Sequence, residues 1–83
     1  MRYILSRHAE KVIDERGILL EWVERTLNAP ELTECDPEGT ELRRYYCRIP
    51  EFGGRVLRVV LNETIDPPRV VSVFFDRRMK GRI

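Results

Sequence analysis

The spacing of apolar positions changes along the chain, and each change marks a boundary. Arg2-Tyr3-Ile4-Leu5 is rich in strand formers and predicts a short opening strand. From Arg7 to Arg16, Ala9, Val12 and Ile13 recur at helical spacing, with Arg16 in the same phase. Ser6 stands where an N-cap belongs, since its hydroxyl can accept a bond from an amide without a partner inside the helix. Gly17 supplies the stop. A second helix is predicted from about Leu20 to Asn28, with Leu20, Val23 and Leu27 as its stripe and Trp22 at the stripe's edge. Pro30 blocks its continuation.

Glu31 to Glu41 contains five acids and no bases, and reads as a solvated acidic loop. Within it, Asp36-Pro37-Glu38-Gly39 fits a type I turn. From Leu42 the period becomes two. Leu42–Ile49, Arg55–Asn62 and Arg69–Asp76 predict three strands, separated by Pro50-Glu51-Phe52-Gly53-Gly54 and by Asp66-Pro67-Pro68. Strands of equal length with short turns make an antiparallel meander. The order β-α-α-β-β-β then predicts an α+β fold, two helices layered on one face of the sheet.

Phasing assigns the two faces. Tyr45, Cys47 and Ile49, then Leu57, Val59 and Leu61, then Val71, Val73 and Phe75 fall in phase and predict the face under the helices. The opposite phase carries Arg44, Tyr46 and Arg48; Val56, Arg58 and Val60; and Val70, Ser72, Phe74 and Asp76. Guanidinium groups beside an aromatic ring suit a phosphodiester and its bases. A partly solvated face with cross-strand pairs, such as Asp76 with an arginine, is the plainer reading of the same pattern.

Length and charge narrow this further. Eighty-three residues predict one domain over 1–83. The 15 bases and 14 acids leave the chain near neutral, yet residues 1–42 carry five bases against ten acids, and residues 43–83 carry ten bases against four acids. Such asymmetry points to RNA or an acidic partner for the basic half, or to halves that neutralise each other in the fold. No run of about 18 apolar residues exists to span a membrane, and the N-terminus has no signal-peptide pattern, so the expectation is a cytoplasmic protein without a membrane partner. Cys35, Cys47 and His8 do not make a zinc pattern, and no Gly-rich phosphate loop is present, so no metal or cofactor is expected.

Ser6-Arg7-His8-Ala9, Arg16-Gly17-Ile18, Arg44-Tyr45-Tyr46 with Arg48, Arg55-Val56-Leu57-Arg58-Val59-Val60, Val70-Val71-Ser72-Val73 and Asp76-Arg77-Arg78-Met79-Lys80 occur in an order that resembles a small bacterial domain-of-unknown-function family. That family is grouped with the RelE-, ParE- and BrnT-like toxins of toxin–antitoxin systems. The resemblance covers nearly the whole chain. It implies a RelE-like fold, an RNA-cleaving or translation-inhibiting activity directed at RNA or the ribosome, and an antitoxin protein as partner. One departure bears on activity: the tail Arg77-Arg78-Met79-Lys80-Gly81-Arg82-Ile83 has bases but no Tyr, His or Glu.

Cutting RNA without a metal needs a base for the 2′-hydroxyl, an acid for the leaving oxygen and cations for the developing charge. His8, Tyr46 and Arg48 are the catalytic candidates, with Tyr46 as acid or stacking platform. Arg44, Arg58, Arg77 and Arg78 are the phosphate-binding candidates. Each has a structural alternative: His8 as a residue of the helix–sheet seam, Tyr46 as a cross-strand packing group. Two function classes stay open, an RNA-cleaving enzyme and a non-catalytic RNA- or protein-binding module. Val56, Val60, Val70 and Phe74 would also give the second face an apolar component suited to a homodimer.

Overall fold

The computed structural model describes residues 1–83, except for the side chain of residue 40. It is an α+β fold with two helices and a five-stranded mixed sheet: β1 (Ile4–Leu5), α1 (Arg7–Arg16), α2 (Leu20–Asn28), β2 (Leu32–Asp36), β3 (Gly39–Ile49), β4 (Arg55–Asn62) and β5 (Arg69–Phe75). The strands lie in the order β1-β5-β4-β3-β2. No helix among the described residues is long and apolar enough to cross a membrane.

The helices begin and end where local chemistry dictates. The Ala9 N–H donates to Ser6 Oγ at 3.0 Å, and the Ser6 hydroxyl donates in turn to the Val71 carbonyl at 3.3 Å, so one side chain both caps α1 and ties it to β5. Gly17 closes α1 with φ +63°, a left-handed conformation costly for residues with a Cβ. In α2 the buried stripe is Trp22, Val23, Thr26 and Leu27, and Leu20 is exposed. The expected stripe is therefore rotated toward Trp22. Only there can the indole reach Phe52 and Phe75, with ring centroids 5.4 and 6.1 Å away. The core joins Ala9, Val23 and Leu27 to Tyr45, Ile49, Leu57, Val59, Leu61 and Val73, the sheet face expected to lie under the helices.

Three expectations are corrected. The stretch Glu31–Glu41 is not a loop throughout, because Leu32–Asp36 forms β2 and pairs antiparallel with β3, Leu32 opposite Tyr46 and Glu34 opposite Arg44. The sheet is not a pure meander, since β1 runs parallel to β5, Ile4 opposite Arg69 and Leu5 opposite Val70. The third concerns β5. Val60 faces Ser72 and Leu61 faces Val70, so Val71 is an extra residue, a β-bulge. An extra residue reverses the alternation on one side of it. Val70 therefore joins the core, fully buried, in place of Val71.

Candidate functional site

The second face of the sheet opens into a cleft of about 400 Å³ between β2, the middle of β3 and β4, and the tail after β5. Arg44, Tyr46 and Arg58 line it, as do Arg78 and Arg82 from the tail and Glu34 from β2. The register explains the convergence: Tyr46 lies opposite Leu32 on one side and Arg58 on the other, and Arg58 lies opposite Phe74. Glu34 and Arg44 are likewise cross-strand neighbours.

Each group in the cleft is held by another. Tyr46 is buried (1% exposed), and its hydroxyl donates to Glu34 Oε1 at 2.9 Å. The ring is thus a packing element and not an open stacking platform, because no face of it is free for a base. Arg44, 19% exposed, reaches Asp36 at 3.2 Å and Glu34 at 3.5 Å. The Glu38 amide, donating at 2.8 Å, holds Asp36 below the usual carboxylate range, and Arg44 adds to the effect. Arg58, 12% exposed, lies over the Phe74 ring, 4.1 Å from its centroid, and meets Asp76 at 3.4 Å. Its Nε is buried without a hydrogen-bond partner.

Asp76 organises the end of the cleft. It does not extend β5 but caps the short 3-10 turn Arg77–Met79, its Oδ1 accepting from the Arg78 N–H at 3.0 Å. That turn packs against β4 and directs Arg78 into the cleft. Arg77, the preceding residue, borders two other depressions and not this one. The expected pairing of Asp76 with a cross-strand arginine is therefore present.

The other sequence candidates lie apart. Arg48 sits at the periphery of the face, 54% exposed, with its guanidinium on Glu31 at 2.8 Å. It does not line the cleft. Its side chain and backbone N–H together pull the Glu31 carboxyl below its ordinary range. His8 lies on the exposed side of α1 and borders a separate groove with Arg16 and Phe74. It does not meet Tyr46 or Arg48, so these three do not make one catalytic set. Val56, Val60 and Val70 are buried, which leaves Phe74 as the only partly exposed member of the apolar patch expected on this face.

One residue of the cleft escaped the sequence reading. The sequence pattern places Glu34 in an acidic loop, because Leu32-Thr33-Glu34-Cys35-Asp36 lacks a clear apolar alternation. The signal that would have found it is charge complementarity, since an acidic segment and the basic strand Arg43-Arg44 with Arg48 must meet if the halves neutralise each other.

No curated protein and no solved structure matches the chain significantly. A family model described as "Domain of unknown function (DUF4258)" matches residues 5–75, which includes both helices and all of β2 to β5. The chain belongs to the DUF4258 family.

Proposed function

We propose that this chain is an RNA-acting domain of the toxin type, which takes a single-stranded phosphodiester into the cleft on the second face of its sheet. The observation that carries the reading is the convergence of Arg44, Arg58, Arg78 and Arg82 on one polar cleft that also holds a carboxylate, Glu34. Four guanidinium groups against the two carboxylates of Glu34 and Asp76 leave the lining cationic. Arg58 has the most to gain from a ligand: one long ion pair leaves a buried Nε–H without an acceptor.

Glu34 is the group placed to act as base. Its side chain is 45% exposed, and the Tyr46 hydroxyl and Arg44 guanidinium orient its carboxylate. In the proposed step the RNA 2′-hydroxyl loses its proton to Glu34 while its oxygen bonds to phosphorus. The P–O5′ bond breaks, and the leaving oxygen takes a proton from water. Arg44 and Arg58 stabilise the charge that builds on the non-bridging oxygens. The products are a 2′,3′-cyclic phosphate and a free 5′-hydroxyl. An RelE-like ancestry, with an antitoxin as natural partner, accords with the order of motifs and the helices-on-sheet layout.

A second reading, binding without cleavage, is favoured by the tail's lack of an acid–base residue. One experiment separates them. Purified protein is mixed with a fluorescent single-stranded oligoribonucleotide in EDTA, and both anisotropy and product ends are followed. Salt-sensitive binding with cyclic-phosphate ends supports the enzyme, and salt-sensitive binding with intact RNA supports the module. Absence of binding at low salt removes both.

A further inference from the structure

The opposite border of the sheet is only half covered. β1 pairs with Arg69 and Val70 alone, and the Ser6 hydroxyl takes the Val71 carbonyl. Beyond that point β5 has no neighbour on its outer side. The Asp76 N–H donates to Val56 at 2.9 Å, which sets the alternation of the β4–β5 ladder: residues 72, 74 and 76 bond inward. The N–H and C=O groups of Val73 and Phe75 therefore point outward, β1 reaches only Arg69 and Val70, and no backbone hydrogen bond from outside the ladders meets them among the described residues. An open strand edge of this kind is a ready template for another strand.

Beside the edge runs a groove of about 490 Å³, bordered by α1 and by the whole stretch Ser72–Phe75. Its floor is apolar, with Phe52 and Phe75 in contact at 5.1 Å between centroids. Its rim is basic. Arg16, Arg55 and Arg77 border it, and among the described residues none of them has a carboxylate within ion-pair distance and no acidic residue lines it. Arg55 only covers the Phe52 ring, 4.8 Å from its centroid.

We propose that the outer edge of β5 docks an extended acidic segment of a partner protein, which adds to the sheet as a sixth strand. The main chain of that segment would satisfy Val73 and Phe75, its apolar side chains would rest on Phe52 and Phe75, and its carboxylates would meet Arg16, Arg55 and Arg77. Charge selects against the other occupants. A second copy would bring the same three unpaired arginines against this rim, and like charges across an interface are costly. RNA would meet the arginines and could stack a base on a phenylalanine, but it has no regular row of alternating donors and acceptors to pair with the main chain of Val73 and Phe75. The proposal does not depend on the cleft on the second face.

The test uses 15N-labelled full-length protein and a synthetic peptide of about ten residues alternating valine and glutamate, long enough to pair along the edge. Two controls replace its glutamates by lysine or every second valine by proline. The expected result is slowed hydrogen exchange at the Val73 and Phe75 amides, and a change in fluorescence of the sole tryptophan, Trp22, with the glutamate peptide alone. Arg16→Glu with Arg77→Glu, both at exposed positions, should weaken binding about tenfold or more while the far-ultraviolet spectrum is unchanged. Unaltered exchange at millimolar glutamate peptide overturns the proposal. So does equal binding of the lysine peptide, protection that grows with protein concentration alone, or protection by an oligoribonucleotide in place of the peptide.

Discussion

The two borders of the sheet use arginine in opposite ways. At the cleft, Arg44 and Arg58 are sunk into the face, each fixed by a carboxylate, and the site is cationic only because Arg78 and Arg82 add to it. At the groove, Arg16, Arg55 and Arg77 stand free around an apolar floor. A buried guanidinium without a partner would be strongly destabilising, so the cleft must carry its own counter-charges to fold. Rim arginines in water carry no such requirement. What the contrast teaches is that the cleft is organised before any ligand arrives and can position reacting groups, whereas the groove offers attraction and hydrogen bonds without a fixed geometry.

The change with the largest expected effect is Glu34→Gln. It keeps the shape and the bond from Tyr46 but removes the proton acceptor. On the proposed reading it lowers the single-turnover rate of RNA cleavage by about 10²–10⁴-fold, the usual contribution of a general base. Binding of RNA is kept or strengthened, and affinity for the glutamate peptide at the groove is unchanged. A rate within a few-fold of the parent removes Glu34 from the chemistry.

Asp76→Ala comes next. It leaves Arg58 largely buried with no ion pair and removes the cap of the Arg77–Met79 turn. Breaking a buried pair by deleting one partner costs about 3 kcal/mol, and somewhat less is expected here because Arg58 retains some contact with solvent. Urea denaturation should show the loss as a lower midpoint with an unchanged slope. Arg77→Ala, one residue further on, should leave stability within about 0.5 kcal/mol, as for an exposed site without partners. Equal effects of the two substitutions would erase the distinction drawn between the borders.

Much of the fold was legible because local signals and tertiary packing agree. Ser6 and Gly17 bound α1, Leu20–Asn28 is a helix, Arg55–Asn62 is a strand, and Tyr45, Ile49, Leu57, Val59 and Leu61 face the helices. The failures share one cause, that the deciding interaction lies far off in sequence. β2 is an edge strand held by its pairing with β3, with Glu34 and Asp36 answering Arg44, and nothing in Leu32–Asp36 alone announces it. The bulge at Val71 depends on how β5 meets both β4 and the end of β1, and period-two phasing cannot register one extra residue. The site was half legible for the same reason. Phase brought Arg44, Tyr46 and Arg58 together, but Glu34 required β2, Arg78 required the turn capped by Asp76, and His8 was separated by the sheet's own edge.

A smaller effect tests whether the tail arginine truly belongs to the cleft. Arg82 is exposed and makes no ion pair among the described residues, so Arg82→Ala should not alter stability. If its guanidinium meets a phosphate, the slope of log affinity for single-stranded RNA against log salt should become shallower by about 0.7. The affinity of the glutamate peptide should not respond. A shift in the peptide's affinity instead would place the tail at the groove.

The smallest effect is one of pH, and its sign differs at the two borders. Glu31 and Asp36 have carboxyls lowered from ordinary values of 4.5 and 3.8, the first chiefly by Arg48 and the second chiefly by the Glu38 amide with Arg44. Their ion pairs therefore contribute in full above those ordinary values and are lost as pH falls through the lowered ones. Glu51, beside the groove residue Phe52, is held down to about 2 by Arg25, so that link survives until far more acid conditions. Protonating Asp36 removes one of the two carboxylates that hold Arg44, so the cleft becomes more cationic, while protonating Glu31 frees Arg48 at its periphery. Affinity for oligouridylate, which keeps its phosphate charges, should rise as the pH falls below those ordinary values. The groove has no carboxylate to lose, while the glutamates of its peptide titrate near pH 4.3, so affinity there should fall over the same interval. Carboxyl NMR titration of Glu31, Asp36 and Glu51 alongside the two binding curves checks the assignment. If both affinities move in the same direction, the cleft's carboxylates are not what restrains its arginines.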